Sequence, residues 1–312
     1  MYFFVQQERG MQGMREWTVL VRRNIKLFFK DRAMFLTSLI TPVILLVLYA
    51  VFLRSIYRSS LEGSLPDDIA VPEVLLDALT AGQLISSILA VSCVTVAFCA
   101  NFLMVQDKVT GSLKDLSMAP VSRGQLAGGY FGAAFVSAAG ICLIALGACI
   151  VYMAVEGWYM GLTAVLLLAG DILLLTLFGT ALSSLIHCFL TTQGQISAVC
   201  TVISAGYGFL CGAYMPISSF GPGLQKVLLF FPGTYGTALV RNHSMGGVLE
   251  EMEAQGVPVS VTDAFRSSLD CSLFFGENSV PISVMYAVLG GTAAALVMVY
   301  IILNCRRGRR SE

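Results

Sequence analysis

The stretch FLMVQDKVTGSLKDLSMAPVSRGQLAGGYF, residues 102–131, joins two strongly apolar runs, 82–104 and 125–155. So short a polar segment between runs that long predicts two membrane-crossing helices whose connection carries a helix of one to two turns. Thr110 is its expected cap, Gly111 relieves crowding at its start, and Pro120 stops it. Leu113 and Leu116 fall three apart on one side, which predicts an apolar ridge facing out of the membrane. The segment reads either as a mechanical coupling element or as an ordinary solvated turn.

The rest of the chain narrows that choice. Of 312 residues, 56% are hydrophobic and only 12% charged, whereas a soluble surface needs about a quarter of residues charged. An all-α integral membrane protein follows. Six apolar runs, 33–53, 82–104, 125–155, 159–186, 195–214 and 282–303, are predicted spans. Each is long enough to cross roughly 30 Å of hydrocarbon at about 1.5 Å per helical residue.

Six spans place the two termini on one side, and cations select which side. Seven Lys/Arg precede or include Arg32, three lie in 107–123, and Arg306, Arg307, Arg309 and Arg310 add four, leaving five of nineteen for the opposite face. Both termini are therefore expected to be cytoplasmic in a multi-pass protein of the cell membrane. The outer segments are acidic, with Glu62, Asp67, Asp68, Glu73 and Asp77 in one and Glu250, Glu251, Glu253, Asp263, Asp270 and Glu277 in another.

Before the first span, residues 12–31 read as an amphipathic interfacial helix. Met14, Trp17, Leu20, Val21 and Phe28 form its apolar stripe, expected in lipid, while Arg15, Arg22, Arg23, Lys26 and Lys30 form the cationic face. Pro42 inside the first span either kinks it, shaping a lateral opening, or simply fits the packing. Gly128, Gly129 and Gly132 in the third predict close helix approach within the chain.

Asp171 interrupts the fourth span, where a charged carboxylate facing lipid would cost about 2.5–3.5 kcal/mol. It is expected to face the bundle interior, and no cation stands at matching depth along the sequence. His187 is placed at the inner end of that span and His243 outside, which excludes a shared metal centre. Seven of the nine cysteines fall in or beside spans and read as small packing residues.

Residues 211–242, CGAYMPISSFGPGLQKVLLFFPGTYGTALVRN, mix helix breakers with apolar pieces too short to span. They predict a pair of short re-entrant outer helices over 215–240, followed by an outer loop over 244–281 that is too small for its own core. No GxxxxGK[ST], HExxH, GxSxG or CxxC pattern occurs, so neither an ATPase site nor a familiar hydrolase site is encoded.

An interfacial elbow helix, six spans, a coupling helix between spans two and three, and broken outer helices before the last span together resemble the type-2 ABC transporter permeases. Two segments carry the resemblance: QDKVTGSLKDLSMAPVSR, residues 106–123, and GAYMPISSF through LLFFPGTYGTALVRN, residues 212–242. By position, Gly111, Leu113, Leu116, Pro120, Val121, Ser122 and Arg123 match the inner motif, and Pro216, Leu224, Pro232, Tyr235 and Arg241 the outer one. The chain departs from the family at Gln106-Asp107-Lys108, where a Glu followed by a basic residue is common, and at Ser112 in place of Thr.

The resemblance implies an exporter subunit without its own ATPase site, in which Gly111, Leu113, Leu116, Pro120 and Arg123 couple to the motor and Trp17, Arg22, Arg23 and Lys26 belong to the elbow. It implies two ATP-binding subunits, which bind the ATP and Mg, and a second permease chain, identical or similar. Membrane lipids are further partners, and no nucleic acid is implied. Asp171, Tyr207 and Phe209 are candidate substrate-path residues for an amphipathic or lipophilic compound. Two other readings stay open: an ion-coupled secondary transporter that titrates Asp171, and a non-transporting membrane scaffold or signalling subunit.

Overall fold

A computed structural model describes residues 2–63, 71–118, 121–275 and 278–309. Pro120 lies outside the described residues. The chain is almost wholly helical, and its axis is α4 (Glu73–Ala100), which α5 (Phe102–Thr110) continues after a break at Asn101. Nearly every α4 residue from Leu75 onward is buried, because α2 (Arg32–Leu48), α7 (Arg123–Glu156), α8 (Leu162–Phe189) and α11 (Pro232–Ala254) all pack around it. A helix apolar on every side belongs in the middle of a bundle.

Among the described residues, five helical stretches are long and apolar enough to cross a membrane: Arg32–Glu62, Glu73–Thr110, Arg123–Glu156, Leu162–Phe189 and Ile282–Arg306. The last lies within α13 (Ile282–Arg309). The expected span at 195–214 corresponds to α9 (Gln193–Leu210), which opens on two glutamines and is less apolar than the other five. Its start is set locally: Thr192 accepts from the Gln195 amide while the Gln195 side chain caps back onto Thr192.

The first span stays helical through Pro42. Helix α2 runs through that proline, capped by the Asp31 carboxylate on the amides of Ala33 and Met34. Regularity is lost at a π-helical turn, Tyr49–Leu53, before α3 (Arg54–Glu62).

Helix α1 (Tyr2–Lys30) departs further from expectation. The later part of its apolar stripe lies against the bundle rather than in lipid: Leu20 and Phe28 are buried, whereas Met14 and Trp17 at the start of the stripe stay exposed, as do Val19 and Phe29 off it. The cause is the small-residue face of α7. A Cβ at Gly128 or Gly132 would stand 3.2 or 3.0 Å from the Trp17 indole, so a larger residue there would push the indole away and glycine favours the close approach.

The predicted division between re-entrant helices ending at 240 and an outer loop from 244 falls inside a single helix. Pro222 and Pro232 open α10 (Pro222–Leu229) and α11 at their first turns, where a missing N–H costs nothing. Helix α11 then continues for 23 residues between α4, α8 and α13. Its second half joins α12 (Val259–Ser268), the end of α3 and the first turns of α4 in a second apolar cluster around Leu79, Met245, Leu249 and Phe265. The segment after 244 thus borrows its core from α3 and α4. At the other end of α4–α5 a third cluster, with Met104, Tyr130, Cys188 and Tyr300, closes around α6 (Ser112–Met118).

Candidate functional site

The site predicted at 107–120 is built from the end of the central helix. Asn101, which is buried, ties the α4–α5 break to α8. Its amide donates to Ser183 Oγ at 3.0 Å, and its carbonyl accepts from Ser184 Oγ at 3.2 Å. Helix α5 then ends at Gly111, whose φ of 85° is left-handed. Gly111 therefore terminates α5 instead of relieving the start of α6, and Thr110 is the last residue of α5 instead of a cap for α6.

Two polar anchors fix α5. Asp107, 5% exposed, accepts from Arg23 of α1 at 2.9 Å and from the Tyr130 hydroxyl of α7 at 2.6 Å. A buried carboxylate so bonded is compensated, and it joins α1, α5 and α7 at one atom, Oδ2. On the other side, Lys108 Nζ donates to the carbonyls of His187, Cys188 and Leu190 at 2.9, 3.1 and 3.2 Å. These are the orphan acceptors at the end of α8, where a cation also meets the negative end of the helix dipole. Helix α7 restarts the chain through a capping box between Ser122 and Gln125, with Arg123 exposed in its first turn.

Leu113 and Leu116 are packed against the Met104–Tyr130–Tyr300 cluster. The expected outward ridge is therefore turned inward, because the apolar face of an amphipathic turn is taken by the nearest apolar cluster rather than left in water. What α6 exposes is Lys114, Asp115 and Met118, the last 82% exposed. In α1, Arg22 and Lys26 are exposed, Trp17 lies on α7, and Arg23 reaches Asp107.

The candidate substrate-path residues are not brought together. Asp171 is sealed inside, with the His243 imidazole of α11 on Oδ2 and the Tyr286 hydroxyl of α13 donating to Oδ1. Tyr207 is buried and meets Phe231 edge-on, whereas Phe209 is exposed and packs on Tyr214. His243, placed outside by sequence reasoning, stands beside Asp171 because α11 carries it along α8. Neither His243 nor Tyr286 has a local signal, since they lie 72 and 115 residues from their partner.

Of the outer set, Tyr235 and Arg241 are buried and hold irregular backbone. The Tyr235 hydroxyl donates to Leu229 O at 2.8 Å and Arg241 Nη2 donates to Gly212 O at 2.6 Å. Arg241 also pairs with Asp270, which accepts from the amides of Ile217 and Ser218. Burial pushes the Asp270 carboxyl above its usual range against the opposing pull of Arg241 and the two amides. Pro216 leads the 3-10 turn Ile217–Ser219 and Pro232 opens α11. The neighbouring Cys271 thiol is pushed up to about 12 by burial, so it stays protonated.

A buried central helix continues into α5, which Asp107 ties to α1 and α7 and Lys108 ties to α8, with α6 packed beyond it. The sequence profile of the ABC-2 type transporter family matches residues 15–243, and the chain belongs to that family. It is a permease subunit of an ABC transporter. No curated protein matches the chain.

Proposed function

We propose that this chain is the membrane half of an ATP-driven exporter that moves an amphipathic or lipophilic substrate outward. Counting α9, about 27 Å long at 1.5 Å per residue, six helices cross the cell membrane and the termini and α6 are cytoplasmic. Two chains, identical or paired with a similar one, pair with two ATP-binding subunits, which bind the ATP and Mg.

The observation that carries this reading is the anchoring of α5. Arg23, Asp107 and Tyr130 join it to α1 and α7, and Lys108 joins it to α8, while α6 exposes Lys114, Asp115 and Met118. A push on α6 is thereby delivered to three helices rather than absorbed in a loop. Closure of the ATP-binding subunits supplies that push, and the bundles of the two permease chains shift against each other.

Purification of the tagged chain from its native membrane, with mass spectrometry of co-purifying chains and a vanadate-sensitive ATPase assay, tests it. A stoichiometric ATP-binding partner is expected. Its reproducible absence in mild detergent overturns the reading in favour of an ion-coupled transporter, which the Asp171–His243–Tyr286 cluster would serve as a proton site.

A further inference from the structure

The π-helical turn Tyr49–Leu53 and helix α11 both pack on α4. Gly82 sets the approach of α11, for the Ser244 hydroxyl reaches Gly82 O at 3.4 Å and Arg241 O at 3.1 Å. Gln83, the next residue of α4, is fully buried, and neither its Nε2 nor its Oε1 makes a hydrogen bond. Tyr49 Oη, Arg241 Nε and Ser87 Oγ, the last one turn along α4 from Gln83, are likewise buried and unbonded. These groups share one neighbourhood. The Tyr49 and Tyr57 hydroxyls stand within electrostatic reach of the Arg241 guanidinium, and Gln83 lies beside Tyr57. The Tyr57 proton is given to Tyr214 O at 3.0 Å, and Arg241 Nη1 and Nη2 are engaged with Asp270 and Gly212 O.

We infer that one or more water molecules are bound among Gln83, Tyr49 and Arg241, accepting from Arg241 Nε and Gln83 Nε2 and donating to Gln83 Oε1. Bare, each of these atoms would carry its full desolvation cost, which the apolar surroundings of a helix bundle cannot return. The occupant must both donate and accept, because Arg241 Nε and Gln83 Nε2 only donate and Gln83 Oε1 only accepts. It must also be small, because Tyr49, Gln83 and Arg241 are 1%, 0% and 1% exposed. An anion would stand against Asp270 and a cation against Arg241, the two charges already paired there. Water meets every condition, and a buried water makes about three such bonds. Bound there, it links the turn after α2, the central helix and α11 through an exchangeable bridge, whereas Asp107 links α1, α5 and α7 by direct side-chain bonds.

X-ray radiolysis of the full chain in nanodiscs, read by mass spectrometry, tests this, because radicals formed from trapped water oxidise the ring beside it while bulk radicals do not reach a closed side chain. Corrected for intrinsic reactivity, Tyr49 should be oxidised severalfold faster than Phe265, which is 2% exposed but lies in an apolar cluster. Melting temperature supplies an independent sign. If Gln83 were bare, Gln83→Met would remove an unpaired carboxamide and raise the melting temperature. If Gln83 is hydrated, Q83M takes partners from the water and should melt lower by about 2 °C or more. The losses of Y49F and Q83M should also be less than additive in Y49F/Q83M, since both side chains hold the same water. Oxidation of Tyr49 no faster than that of Phe265, a higher melting temperature in Q83M, or additive losses would each overturn the proposal. Should Q83M fail to fold, the radiolysis of the wild type decides alone.

Discussion

Arg241 and Asp270, 29 residues apart, form an ion pair of 3.1 Å in which the side chains are 1% and 5% exposed. With Gly212, Ile217 and Ser218 also bonded to the pair, it holds the irregular segment before α10 against the segment after α12.

Removing one partner leaves the other buried and unpaired. Arg241→Met should therefore destabilise the chain by about 3–5 kcal/mol, and R241M/D270L by distinctly less, because no charge is then stranded. Denaturant unfolding in detergent reads the difference; equal losses in single and double variants would refute the pairing as the cause.

The raised carboxyl of Asp270 sets a pH dependence. Folded chain keeps a proton that the unfolded chain loses above its ordinary value of 3.8. This contribution is therefore complete below that value and fades as pH rises through the folded value. Melting temperature should fall with rising pH across that window in the wild type more steeply than in D270N, and parallel profiles would count against it.

Inward packing of Leu113 and Leu116 separates two effects at α6. Leu113→Asp and Leu116→Asp should each cost about 1–3 kcal/mol of stability, whereas Met118→Asp should change stability by less than about 0.5 kcal/mol yet reduce co-purification of the ATP-binding partner. Thermal melts beside pull-downs check this; a stable L116D variant would mean that the ridge faces water.

Close approach of α1 to α7 depends on Gly132. Gly132→Leu should expel the Trp17 indole and cost about 1–3 kcal/mol through overpacking. Since the chain has two tryptophans, a Trp158→Phe background isolates Trp17, and a red-shifted emission is expected. Unchanged emission would show that the indole rests elsewhere.

For Asp171, the buried hydrogen bonds from Tyr286 and His243 predict that Tyr286→Phe costs about 1–3 kcal/mol. In the D171N background the same substitution should cost less, and the thermal double-mutant cycle reads that coupling. Additive losses would rule it out.

Much of this was legible along the chain. The apolar runs placed the long helices to within about six residues at each end except the start of α4, because burial in hydrocarbon demands about 20 consecutive apolar residues whatever the fold. Thr192 and Ser122 cap α9 and α7 through partners within one turn, a local signal separate from the apolar runs. The Asp107–Tyr130–Arg23 junction was half visible: the residues stood in the right segments, and nothing linear joined them.

Composition, cation placement and the two motifs by themselves determined that the chain is a bundle of membrane helices of the permease kind, since those properties act within a helix or its nearest turn. The tertiary structure alone decided that α11 is one helix, that His243 meets Asp171, that Arg241 meets Asp270, and that Leu113 and Leu116 turn inward. Those outcomes depend on which helix faces pack, and a helix of one apolar stripe has no preference among partners until glycine faces, buried charges and the neighbouring clusters are in place.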